Sequence, residues 1–340
     1  MKLDTQLWGL QDAADRAARL ASLGIDGVFT FEGPHDVFTP LVVTAAHGVE
    51  VDLYTNLAIA LPRNPLQVAH QAWDLQTLTG GRFALGIGSQ VRPQIERRYG
   101  AAFHPPLARM REFVAALRAI FATWQDGEPL AFEGEYHRHT LMPPLFNPGP
   151  NPHGPPPIWM GGLGPKMVEL AATVADGLAI MPFCTERYLE EITLPGVEAG
   201  LRASERTRRD LTLIGEAIVC CGRDDQEMRS ALEGTRMLLA FYGSTPAYRK
   251  VLDLHGWGEL QEELRTLTRQ GRWEEMAGLV DDEMLRTLAV VGSPSEVGRT
   301  LTERFGSWAD RVAFYFPYSI ADATIGELTS AIRRPQSAPQ

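Results

Sequence analysis

Residues 79–99 read Thr79-Gly80-Gly81-Arg82-Phe83-Ala84-Leu85-Gly86-Ile87-Gly88-Ser89-Gln90-Val91-Arg92-Pro93-Gln94-Ile95-Glu96-Arg97-Arg98-Tyr99. The double glycine stops a helix, because glycine alone enters left-handed backbone at little cost. A short apolar strand, Phe83–Ile87, follows and runs into Gly88-Ser89-Gln90, with a charged helix expected beyond. Small residues at the carboxyl end of a buried strand leave room for a planar ligand against the backbone. In a chain of alternating strands and helices, that end is where an active site sits.

The same alternation extends in both directions. Upstream, the pattern predicts strands at Lys2–Trp8, Gly27–Glu32 and Val51–Ile59. Between them it predicts a helix over Gln11–Leu23 closed by Gly24, a second near Phe38–His47, and a third over Pro65–Leu78 that starts on proline. Downstream, a long helix covers about Leu107–Trp124. Residues 125–157 then break the rhythm with nine prolines and several glycines. They are expected to form an excursion over one end of the fold. The rhythm resumes with strands at Ile158–Met160, Leu178–Phe183, Leu211–Cys221 and Val312–Phe316. Helices are expected at about Pro165–Ala175, from Thr185, and at about Asp322–Arg333. Residues 224–287 read as a helical insertion. Ser293-Pro294-Ser295-Glu296 carries the marks of a capping box with proline at the first helical position.

Eight strands, each followed by helix, with none that reads as an edge, predict a closed parallel (β/α)8 barrel with insertions after strands 4 and 7. A doubly wound open sheet is the second choice. The chain is expected to form a single domain over 1–334, followed by a frayed tail, 335–340.

Composition narrows the function. A net charge of −10 with no basic cluster argues against nucleic acid. No apolar run approaches the length of a membrane span. The first residues enter a strand pattern at once, so no signal peptide is expected and a cytoplasmic location follows. The three cysteines, Cys184, Cys220 and Cys221, read as reduced thiols.

Candidate chemistry gathers after the strands. After strand 2 come Glu32 and His35, an acid and an imidazole able to act as acid and base. The same loop also reads as ordinary polar chain with Asp36 capping the next helix. After strand 5, Gly161-Gly162-Leu163-Gly164-Pro165-Lys166 opens a helix. Glycine-flanked N–H groups there can hold a phosphate, with Lys166 adding charge. The alternative is a tight turn that needs glycine for its dihedrals. His137, His139 and His153 lack the partners and spacing of a metal site, so no metal is expected.

Three motifs together resemble the bacterial luciferase-like monooxygenase superfamily. They are Gly80-Gly81-Arg82-Phe83-x-Leu85-Gly86-x-Gly88, the run from Gly164 to Gly177, and Gly292-x-Pro294-x-Glu296-Val297. Within it, Ser89-Gln90-Val91-Arg92, Ile95 to Gly100 and Phe146 to Pro150 are similar to actinobacterial oxidoreductases that use the deazaflavin coenzyme F420. The resemblance implies a (β/α)8 barrel and a non-proline cis peptide at Asn56-Leu57 beneath the cofactor ring. It implies cofactor contacts from Ser89 and Gln90, a phosphate cradle at Gly162, Leu163, Gly164 and Pro165, and a ring edge at Phe31 and Glu32.

Relatives that oxidise sugar phosphates or alcohols place a histidine directly after the strand 2 acid, where this chain has Gly33, and a glutamate in the strand 4 loop, where it has Val91. The implied activity is therefore hydride transfer between the deazaflavin and a small organic substrate that needs less acid help, such as an activated double bond. Two other readings stay open. One is an FMN-dependent monooxygenase fed by a separate reductase. The other is a cofactor-binding barrel without catalysis. A homodimer is implied by the resemblance.

Overall fold

The computed structural model describes residues 1–334, so the tail read as frayed lies outside the described residues. Eight parallel strands form the barrel: β1 (Lys2–Gln6), β2 (Gly27–Thr30), β3 (Asp52–Thr55), β4 (Phe83–Gly88), β5 (Ile158–Gly162), β6 (Gly177–Ile180), β7 (Thr212–Cys221) and β8 (Arg311–Tyr315). Each pairs with the next, and β8 returns to β1 in the register Lys2 with Arg311 and Thr5 with Phe314. Closure leaves no free edge between the first and last strands, which excludes the open doubly wound sheet.

The helices start and stop where local chemistry requires. Pro65–Leu78 begins with the Asn64 side chain accepting from the Leu66 amide at 2.9 Å. It ends at Gly80 and Gly81, with φ of +63° and +90°. Ala13–Ser22 buries Ala13, Ala17 and Leu20, one stripe of the helix, and stops before Gly24 at φ +90°. Ser293 and Glu296 form the expected capping box at the head of Pro294–Phe305. Asp36 accepts from the amides of Phe38 and Thr39, both at 3.0 Å, at the head of Thr39–Ala46.

Four local expectations change. The strand read over Val51–Ile59 is cut at Asn56-Leu57 and resumes as Ala58–Ile59 beside β4. The charged helix after Gln90 is one wide π turn, Gln94–Arg98. The excursion at 125–157 carries a small antiparallel pair, Phe132–Glu133 with Arg138–His139. A short strand absent from the sequence reading, Ala289–Gly292, pairs with the last four residues of β7. All three cysteines are buried and free. No helix among the described residues is long and apolar enough to cross a membrane.

The barrel interior is layered. Its floor is an ion cluster in which Arg311 on β8 makes two 2.7 Å hydrogen bonds to Asp4 on β1 and one to Asp52 on β3. The Tyr54 hydroxyl donates to Asp4 at 3.0 Å, and Lys2 reaches Asp52 at 2.6 Å. Asp4 is fully buried, so its charge is tolerable only because the guanidinium fork satisfies both oxygens. Above it packs an aromatic layer in which Phe29 lies 5.3 Å from Tyr54 and 5.2 Å from Tyr315. The next layer, at the carboxyl ends of the strands, is polar.

Candidate functional site

The polar layer begins where β3 is cut. The Asn56–Leu57 peptide is cis, at the position the resemblance singled out. The Leu57 side chain lies against glycines of two neighbouring strands. A Cβ at Gly88 would stand 2.8 Å from Leu57 Cδ1, and one at Gly161 only 2.1 Å away. A Cβ at Gly86 would stand 1.9 Å from the Thr55 carbonyl oxygen. These glycines therefore make room for the Thr55–Leu57 segment of the protein itself. That corrects the initial reading, in which the glycines of β4 were small for the sake of a ligand.

This packing brings the candidate cofactor residues into one neighbourhood. Gly88 and Gly161, both against Leu57, directly precede Ser89 and Gly162. Among the described residues, the Ser89 and Gln90 side chains hydrogen-bond only within their own loop, at 3.3 Å to the Gln90 carbonyl and 2.9 Å to the Val91 amide. Gln90 takes φ +55°. Gly162 and Leu163 are buried, and the Leu163 carbonyl accepts from the Tyr188 hydroxyl at 3.3 Å. Gly164 caps the helix Pro165–Val174, with Pro165 exposed at its first position. A Cβ at Gly164 would meet nothing within 4 Å. The helix head thus faces open space, and Lys166 beside it is exposed and in no ion pair among the described residues. Pro165 has no N–H, and the Met167 and Val168 amides donate to the Gly164 carbonyl at 3.0 and 3.1 Å. The Gly164 and Lys166 amides, with the free Lys166 cation, suit a phosphate-bearing cofactor.

The strand 2 residues separate. Phe31 stands edge-on to Trp8, with ring centroids 4.7 Å apart. Glu32 is held by Arg63 at 2.5 Å and by the Ile59 amide at 3.1 Å, while the Tyr99 hydroxyl donates to its other oxygen at 3.3 Å. His35 is exposed in the following loop. A proton-transfer role for Glu32 would have to act through this Arg63 pair.

The sequence reading passed over Glu216. It is the one charged residue in β7, and the strand is otherwise apolar or small. A Cβ on its neighbour Gly215 would strike Phe305 and Trp308 on the outer helical side, so Glu216 points inward. Its Oε1 accepts from Asn56 Nδ2 at 2.9 Å, and the same amide reaches the Tyr315 hydroxyl at 3.0 Å. Burial pushes the carboxyl up to about 8, against the weaker opposing effect of the Asn56 and Tyr315 hydrogen bonds. A lone carboxylate in an apolar strand, in inward register, was the available signal.

Beside this cluster stands an aromatic wall. Phe183, Tyr242 and Tyr248 meet with ring centroids 6.0–6.2 Å apart. A cavity of about 840 Å³ opens on the β1 and β8 side, bounded by Gln6, Trp8, Met237, Phe241, Trp273 and Phe316 among others. Its lining includes none of residues 56–57, 89–90 or 162–165, so it is separate from the candidate cofactor cradle.

Closed barrel, cut third strand and glycine-headed fifth helix together define a class. Residues 3–311 match the family described as luciferase-like monooxygenase, and the chain belongs to that family. It is 46% identical over 313 residues to an uncharacterized protein of Mycobacterium tuberculosis, with 92% of each chain covered. It is 30% identical over 327 residues to a second protein of that organism, which carries the provisional name coenzyme F420-dependent oxidoreductase; 88% of this chain and 91% of the relative are covered. Among solved structures, the coenzyme F420-dependent tetrahydromethanopterin reductase of Methanopyrus kandleri superposes with a TM-score of 0.82 at 18% identity, covering 97% of this chain and 98% of that one. That likeness concerns the fold.

Proposed function

We propose that this protein is a coenzyme F420-dependent oxidoreductase that transfers a hydride between the deazaflavin and a small organic substrate. The observation that carries the reading is the open helix head at Gly162–Pro165, with Lys166 beside it, joined through Leu57 to the Ser89-Gln90 loop. It is supported by the 30% identity to the relative named for that coenzyme.

In this reading the Gly164 amide region and Lys166 hold the phosphate, and Leu57 supports one face of the ring. Ser89 and Gln90 contact the ring or its side chain, and Phe31 lines its edge. The bound coenzyme supplies a two-electron hydride, so the protein needs to bind, orient and exclude water rather than provide a nucleophile.

The test is anaerobic. Reduced F420 is mixed with the protein and a panel of conjugated alkenes and carbonyl compounds. Return of the oxidised coenzyme's absorbance with one of them supports the reading. No turnover of F420, together with oxygen uptake when reduced FMN is supplied, contradicts it and selects the monooxygenase alternative.

A further inference from the structure

Glu216 is a carboxyl that nothing in the floor network or the phosphate cradle requires. In the active-site layer it contacts Asn56, whose backbone forms the cut in β3, and Tyr315 at the end of β8. The titratable groups that face it are Tyr54 on β3, Tyr315 on β8, and Tyr242 and Tyr248 from the helical insertion. No cation forms an ion pair with it among the described residues. Meanwhile Glu32 is held by Arg63, and the strand 4 loop offers Val91 in place of an acid.

We infer that Glu216 is the proton donor that accompanies hydride transfer to an uncharged carbonyl or carbonyl-conjugated acceptor. The inference rests on the proposed deazaflavin chemistry. Glu216 lies in the polar layer with Asn56, whose peptide forms the proposed floor beneath the ring, and Tyr242 and Tyr248 of the helical insertion face it. Burial among tyrosines and an amide, without a cation, keeps it protonated through neutral pH.

The step balances as follows. The acceptor carbon gains a C–H bond with the electron pair carried by the hydride, and its π bond to the neighbouring atom breaks. The atom at the far end of the π system takes the proton from the Glu216 O–H. The acceptor is reduced, the deazaflavin is oxidised, and Glu216 is left as a carboxylate that solvent reprotonates. A carboxylate-bearing substrate is disfavoured, because the cluster offers no cation to offset its desolvation.

Glu216→Gln separates donation from positioning. The glutamine oxygen still accepts from Asn56, but the side chain has no acidic proton. The first readout needs no activity. Infrared spectra of the apoprotein should contain a protonated-carboxyl band that is lost near pH 8 and is missing in E216Q. The second is turnover with reduced F420. The kcat should fall about 100-fold or more in E216Q, the range of a lost general acid. The coenzyme Kd should stay within about twofold. In the unmutated enzyme, kcat should decline above pH 8.

A carboxyl already ionised at pH 6 overturns the inference, as does an E216Q enzyme that retains kcat within about threefold, which would leave Glu216 a positioning residue only. If the protein binds no deazaflavin, the parent reading and the donor role both fall, whatever the infrared result. If F420 turns over and the band is absent, the donor role alone falls.

Discussion

A buried neutral acid must cost the fold stability as pH rises, and Glu216 makes the size of that cost calculable. An unfolded glutamate releases its proton near 4.5, whereas Glu216 in the fold holds it to about 8. Below pH 4.5 both states are protonated, and the group adds no pH dependence. Between 4.5 and 8 the unfolded chain loses the proton and the folded chain keeps it. The unfolding free energy therefore falls with rising pH, by 1.36 kcal/mol per pH unit at most. The loss from this group is about 3 kcal/mol at pH 7 and approaches about 5 kcal/mol above pH 8. Against a typical total of about 5–15 kcal/mol, that is large.

The assay is urea unfolding of the unmutated protein and of Glu216→Gln at pH 4, 5.5, 7 and 9. Other groups titrate alike in both proteins, so the difference isolates Glu216. E216Q should gain on the unmutated protein steadily from pH 4.5 and level off beyond pH 8. Water entering through the mouth would shrink the gain without changing its sign. A difference that is flat with pH, or one that moves the other way, would refute the placement of a neutral carboxyl in the barrel.

Other parts of the structure give independent expectations. Arg311→Met strands the fully buried Asp4 without its partner and should lower stability by about 3–5 kcal/mol in denaturant unfolding. Gly86→Ala drives a methyl into the Thr55 carbonyl, and the protein should lose its cooperative melting transition or melt well below the parent, as read by calorimetry. Gly164→Asp enters open space, so its Tm should stay near the parent value. Its carboxylate repels a phosphate, and F420 binding should weaken at least about tenfold, or about 1.4 kcal/mol. Ser293→Ala removes one half of a capping box and should cost about 1 kcal/mol in the same unfolding assay.

Much of this architecture was legible because its signals are local. Proline at position 65 and glycines at 80 and 81 bracket a helix whatever surrounds it, and the eight apolar strands announce themselves by spacing. The motif glycines were visible too, but their reason was not. Gly86 and Gly161 are small because residues 55–57 lie across them, a contact between segments up to about a hundred residues apart. Glu216 went unread for the same cause. Its meaning comes from Asn56, 160 residues earlier, and from the register that turns Gly215 outward. Conversely, Glu32 looked free in sequence because nothing local reveals Arg63 folding back onto it.

The central claim is that the cradle at Gly162–Pro165 and the floor at Leu57 hold a deazaflavin. Fluorescence titration of the purified protein with oxidised F420 and, separately, with FMN tests it most directly. The account predicts saturable F420 binding that is at least about tenfold tighter than FMN binding and that Gly164→Asp weakens. Preference for FMN, or F420 binding indifferent to Gly164→Asp, would contradict it.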